Sequence, residues 1–86
     1  MNTQHTKIKK LLKKKLSLKK IIIKGFEKNI EIIAIGEIFL NLKTVQREKI
    51  IYFPLMKYFQ NNDIHSICIQ TYTLQEWKKY KKNHYL

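Results

Sequence analysis

The chain has 86 residues, 44% of them hydrophobic, and a formal net charge of +12. This length allows one domain, residues 1–86, with a modest core. A lone cysteine, Cys68, excludes an internal disulfide and a cysteine-only zinc site, and no signal-peptide segment or membrane-length apolar run occurs, so a cytoplasmic protein with no membrane partner is expected.

Residues 1–3 and 83–86 are expected to fray. Residues 4–15 read as an amphipathic helix. Ile8, Leu11, Leu12 and Leu16 recur on one side of a 3.6-residue period, and lysines fill the other. Such a helix packs on a sheet and shows its lysines to water; binding to a membrane surface or to phosphates is the alternative. Residues 18–24, LKKIIIK, are β-branched and short and read as a strand. Gly25 to Asn29 form a loop, and residues 30–36, IEIIAIG, complete a hairpin.

Residues 36–43 lead across to a helix from 45 to about 61, with Thr44 as its N-cap. Val45, Ile51, Leu55, Tyr58 and Phe59 share its inner face, flanked by Ile50 and Tyr52. Pro54 removes one backbone donor and clashes with the preceding turn, so a kink or two abutting helices are expected there. Asn61-Asn62-Asp63 ends this segment. Residues 64–71 form a third strand, and 74–82 a terminal helix anchored by Trp77, with Lys78, Lys79, Lys81 and Lys82 solvated. The order α-β-β-α-β-α, with three strands and helices on one face, is a two-layer α+β domain. The third strand cannot join the hairpin through a tight turn, so a helical crossover is required.

The charge is uneven. Residues 1–28 hold ten lysines and one glutamate, the middle segment 29–75 is neutral, and residues 76–86 carry +3. Such a field attracts nucleic acid or an acidic partner. Yet there are seventeen lysines against a single arginine, Arg47, together with fourteen isoleucines, a bias that A+T-rich codon usage produces by itself. Arginine, the better reader of phosphates and bases, is nearly absent. A DNA-binding reading rests on Lys43, Arg47, Lys49 and Lys57 in the central helical region 44–61. A KH-type GxxG clamp is missing, since the glycines are Gly25 and Gly36. Paired carboxylates, a nucleophile beside a base and a phosphate-cradling loop are also absent, so the protein reads as non-enzymatic.

His65 opens the third strand, beside a connecting loop. Its parity with Ile67, Ile69 and Thr71 sets it on the core face, where a rim histidine bonded to backbone is the plain expectation. Cys68 falls on the opposite face and reads as a small core or sheet-face residue. His5 and His84 are expected to be solvent groups in frayed ends.

Several stretches stand in ungapped order between Leu16 and Trp77. They are the Gly25 turn, IAIGEIF, the helical IIYFPLMKYF, IHSICIQTYT and the pair Glu76-Trp77. Together they resemble the BolA family, nearest its YrbA/IbaG branch. The resemblance implies an αββααβα-type domain related to the class II KH domain. It also implies a monothiol glutaredoxin as partner, with a [2Fe-2S] cluster shared between that partner, glutathione and this chain, and none bound by the chain alone. It maps the cluster histidine to His65 and the partner contact to Gly25, Phe26, Asn29 and His65. The sequence departs at Asn29, where relatives often carry a second ligand histidine. The loop GFEKNIEI has no histidine or cysteine, and asparagine is a weak ligand for iron in a sulfur-rich cluster. The threonine-proline pair before the last helix becomes Thr73-Leu74. The expected function is an adaptor in iron–sulfur cluster handling or iron signalling. A DNA-binding regulator and a cluster-free interaction module are the alternatives, and a homodimer is left open.

Overall fold

The computed structural model describes residues 3–84. In chain order these form helix α1 (Thr3–Leu16), strands β1 (Lys20–Phe26) and β2 (Asn29–Ile35), helices α2 (Thr44–Tyr52) and α3 (Met56–Gln60), strand β3 (Ser66–Tyr72) and helix α4 (Leu74–His84). Short 3-10 turns at Glu37–Phe39 and Phe53–Leu55 bridge the elements. The strand order is β1-β2-β3: β1 runs antiparallel to β2, and β3 runs parallel to β2 on its other side. A parallel neighbour needs a crossover, and α2 and α3 supply it. This is the expected α+β class in the expected order, with the central helix divided.

Alternation along β2 explains the core. Ile30, Ile32 and Ala34 face one side and are buried with Ile8 and Leu12 of α1, Phe39, and Ile51 and Leu55 of the crossover. Ile33 and Ile35 face the other side and meet Trp77 of α4, with Tyr72 and Tyr80 packed around it. The Trp77 and Tyr80 rings stack at a centroid distance of 5.5 Å. The helices therefore do not all lie on one face. Thr73 reverses the chain after β3, and α4 covers one end of the sheet's second face. The other end of that face stays open.

Pro54 has the expected effect. The helical run breaks into α2, a 3-10 turn with proline at its start, and α3. Thr44 is the first residue of α2 and not its cap. Lys43 occupies the cap position, and its N–H donates to the Gln46 side chain at 2.8 Å. Val45 was expected inside, but in the first turn of α2 it lines an open recess with Ile67 and Ile69 and is 60% exposed. Asn62 takes a left-handed φ of 61° just past α3, where asparagine is tolerated, and the Asp63 N–H closes the end on Tyr58 at 2.7 Å.

The hairpin is tighter than a loop over Gly25–Asn29. Gly25 and Phe26 belong to β1, and Asn29 opens β2. Phe26 pairs with Asn29 across a two-residue turn, Glu27-Lys28. Gly25 makes this possible with a φ of 125°, and a Cβ there would collide with the Asn29 carbonyl oxygen and lie 2.8 Å from the Ile30 Cα. Gly25→Ala is expected to destabilise the protein by about 1–3 kcal/mol or more, measured by urea unfolding. Amide shifts should change most at the hairpin tip.

Candidate functional site

His65 is not a strand residue. β3 begins at Ser66, and the residue buried ahead of it is Ile64, which breaks the alternation that would have turned His65 inward. His65 is exposed. Its backbone is nevertheless held, because its N–H donates to the Lys28 carbonyl at 2.8 Å. The crossover thus delivers His65 directly against the hairpin turn. Its side chain lines a shallow recess with Glu27, Lys28, Asn29 and Gln4 of α1. The Gln4 amide nitrogen donates to the Asp63 carbonyl at 3.0 Å and ties α1 to the segment leading into His65.

Asn29 stands beside this histidine. It pairs in register with Ser66, and the Ser66 hydroxyl donates to the Asn29 side-chain oxygen at 2.6 Å. The position that would hold a second ligand is thus a neutral amide already engaged by a neighbour. Phe26, paired with Asn29, shares its sheet face and is 75% exposed, a large apolar surface at the same corner. Of the four residues mapped as a contact surface, Asn29 and His65 line one recess, and Phe26 is the cross-strand partner of Asn29. Gly25 serves by shaping the turn. Cys68 is exposed on the open part of the second sheet face, two residues beyond Ser66, so it is a sheet-face residue and not a core one. His5 is half-buried within α1 and is no frayed solvent group. Residues 1–2 and 85–86 lie outside the described residues, as does the His84 side chain. No group of three or more His, Cys, Asp or Glu side chains among the described residues is placed to hold a metal ion. At this corner the described residues supply one imidazole, with the Glu27 carboxylate lining the same recess, a set that suits a ligand contributed to a shared group and not a self-sufficient metal site.

The four cations of the DNA-binding reading fare differently. Lys43, Lys49 and Lys57 are exposed. Arg47 is not available: its guanidinium grips Glu76 of α4 with both terminal nitrogens, at 2.7 and 3.2 Å, and its Nε donates to the Leu42 carbonyl at 2.9 Å. Its side chain is only 12% exposed. Glu76 has a second duty. It accepts from the Thr73 N–H at 2.9 Å while the Thr73 hydroxyl accepts from the Glu76 N–H at 3.2 Å, a reciprocal cap on α4. The motif Thr73-Leu-Gln-Glu76 was the signal that the sequence reading passed over. Glu37 adds a bond to the Leu74 N–H at 3.0 Å, so the N–H groups of Thr73, Leu74 and Glu76 all have side-chain acceptors at the start of α4.

No family model matches the chain. Individual relatives do. It is 33% identical over 79 residues to the acid stress protein IbaG of Escherichia coli K12, covering 92% of this chain and 94% of that one. The chain belongs to the BolA family. An uncharacterized protein of Buchnera aphidicola (subspecies Baizongia pistaciae) is 52% identical over 71 residues, 83% of this chain and 90% of that protein. Among solved structures, a BolA homologue from Coxiella burnetii superposes with a TM-score of 0.74 at 26% identity, covering 91% of this chain and 99% of that one. The mixed three-stranded sheet matches the BolA fold. No helix among the described residues is long and apolar enough to cross a membrane.

The Glu76 contacts predict a pH signature. Hydrogen bonds from Arg47, then from Thr73, hold its carboxyl below the ordinary carboxylate range. A group depressed on folding stabilises the fold above its unfolded pKa, and that contribution fades as pH falls through the folded value. Glu76→Gln should therefore cost about 1 kcal/mol near neutrality, and the gap from wild type should close in acid. Chemical denaturation across a pH series reads both.

Proposed function

We propose that the protein is a non-enzymatic cytoplasmic adaptor that binds a monothiol glutaredoxin and contributes His65 as one ligand to a [2Fe-2S] cluster shared with that partner and glutathione. Family membership supports the partner class. The observation that carries the ligand role is an exposed imidazole whose backbone is pinned to the hairpin tip by the Lys28 carbonyl. A ligand on a rigid loop is presented without an ordering cost, while its exposure leaves the outer side free for a partner. Phe26, across the hairpin from Asn29, offers the apolar anchor. The cluster would supply electron-transfer or transferable iron–sulfur chemistry, and the chain's own part is to present a neutral nitrogen and to dock.

Asn29 gives this reading its particular form. Its amide oxygen is occupied by Ser66, so His65 stands as the single imidazole donor of the recess. Co-purification with a monothiol glutaredoxin and glutathione without oxygen is expected to give a coloured hetero-complex. His65→Ala should lower the visible absorption by more than the roughly tenfold effect typical of losing an outer-shell partner. Asn29→His should slow cluster loss. Unchanged absorption in His65→Ala removes the ligand role, and a tight but colourless complex favours the cluster-free module.

A further inference from the structure

A second surface lies away from His65. Helix α1 and the corner between α2 and α3 enclose an open groove of about 690 Å³, a volume within the range of ligand-sized pockets, roughly 300–1,000 Å³. Leu11 and Lys15 form one wall, and Phe53, Pro54, Met56 and Lys57 the other. Tyr58 and Asp63 continue it into a smaller recess reached by Gln4 and Lys7. The wall from α1 therefore runs Lys7, Leu11, Lys15, four residues apart on one helical stripe. Pro54 breaks the helix at this corner, and the 3-10 turn it starts leaves Phe53 63% and Met56 39% exposed. Two large apolar side chains thus stand over a floor of aliphatic and aromatic surface, with lysines on both rims.

We propose that this groove is a docking site for an acidic segment of a partner protein, anchored by one or two large apolar side chains. The apolar floor and the basic rims call for both properties in one ligand. Acidic residues meet Lys15 and Lys57, and the anchors fill the space between Leu11, Phe53 and Met56. Charge complementarity decides among the other occupants. A second copy of the chain brings the same excess, +12 overall with few acidic groups, to basic rims. Nucleic acid has phosphates for the lysines but gains little from Phe53 and Met56. A bilayer is flat, while the site is concave. Asp63 gives the groove polarity, since it lies at the Gln4 end, away from Lys15.

The test needs no glutaredoxin, so its failure is separate from failure of the cluster role. A fluorescein-labelled, glutamate-rich helical peptide with a leucine and a phenylalanine four positions apart is titrated against the full chain by anisotropy. Amide shifts map the contact. Saturable binding is expected, with shifts centred on Leu11, Lys15, Phe53, Met56 and Lys57. Phe53→Ser and the double reversal Lys15→Glu, Lys57→Glu should each weaken it by about tenfold or more. The matched reversal Lys79→Glu, Lys82→Glu on α4 should keep affinity within about twofold. A peptide with both anchors changed to serine should bind about tenfold more weakly. Phe53 is exposed, so its variant keeps the fold, checked by circular dichroism. Four results would overturn the proposal: no detectable binding; no preference for the anchors; equal loss in the α4 control; or tighter binding of phosphatidylserine vesicles, duplex DNA or a second copy through Phe53.

Discussion

The parallel pairing of β3 with β2 governs this molecule. An antiparallel third strand could have followed from a short turn, but a parallel one has to start at the same end of the sheet as β2. That end is the hairpin tip. The crossover through α2 and α3 carries the chain back there, and Ser66 enters register opposite Asn29. His65, one residue earlier, has no ladder partner in β2 and spends its N–H on the Lys28 carbonyl. The meeting of His65 and Asn29 in one recess is thus a result of topology. The same crossover supplies Ile51 and Leu55 to the core, so the element that positions the site also buries the sheet.

Most of this frame was legible because hydrophobic periodicity reports it directly. The isoleucine runs marked the strands, the 3.6-residue stripe marked α1, and Pro54 marked the division of the central helix. What escaped had no local signature. The side of the sheet that α4 covers depends on how the chain turns at Thr73, and the strand parity of residues 33 and 35 reads the same for either cover. The inward orientation assigned to His65 assumed that alternation reached back to residue 64. Ile64 is buried by tertiary packing at the end of α3, and this ends the ladder one residue sooner than the β-branched pattern suggests. Val45 followed the helical stripe correctly but lines an open recess with Tyr52, Ile67 and Ile69 that nothing fills among the described residues. The site was legible in its residues and not in its arrangement. Family resemblance supplied His65 and Asn29, while the Ser66–Asn29 bond required the register of strands far apart in sequence.

Arg47 shows how a structural duty removes a residue from a functional list. In sequence it is the one arginine of a basic chain and a natural phosphate ligand. In the fold it links α2 to the first turn of α4, and Glu76 uses the same carboxylate to cap that helix. Withdrawing Arg47 to bind a phosphate would break the contact of a largely buried guanidinium with Glu76 and loosen the link between α2 and the start of α4. The three remaining lysines offer point charges without the bidentate geometry that reads bases. This weighs against sequence-specific DNA recognition by the central helices, while leaving the general basicity its long-range effect.

Charge and shape then divide the work of recognition. A net charge of +12 draws acidic partners from a distance and raises encounter rates, but it is spread over many lysines and discriminates little. Discrimination has to come from places where apolar surface and a fixed polar group coincide. Two such places lie among the described residues at backbone breaks. One is the hairpin tip, where Phe26 pairs with Asn29 and Lys28 pins the backbone of His65, and the other is the groove where Pro54 pushes Phe53 out between lysines. Each follows from a backbone device, the Gly25 turn in one and the proline break in the other. In both, the chain gives up ideal secondary structure at a position where it then exposes a large apolar side chain. Exposing a phenylalanine has a solvation cost that a free-standing fold has no reason to bear twice, and burial against a partner would offset it.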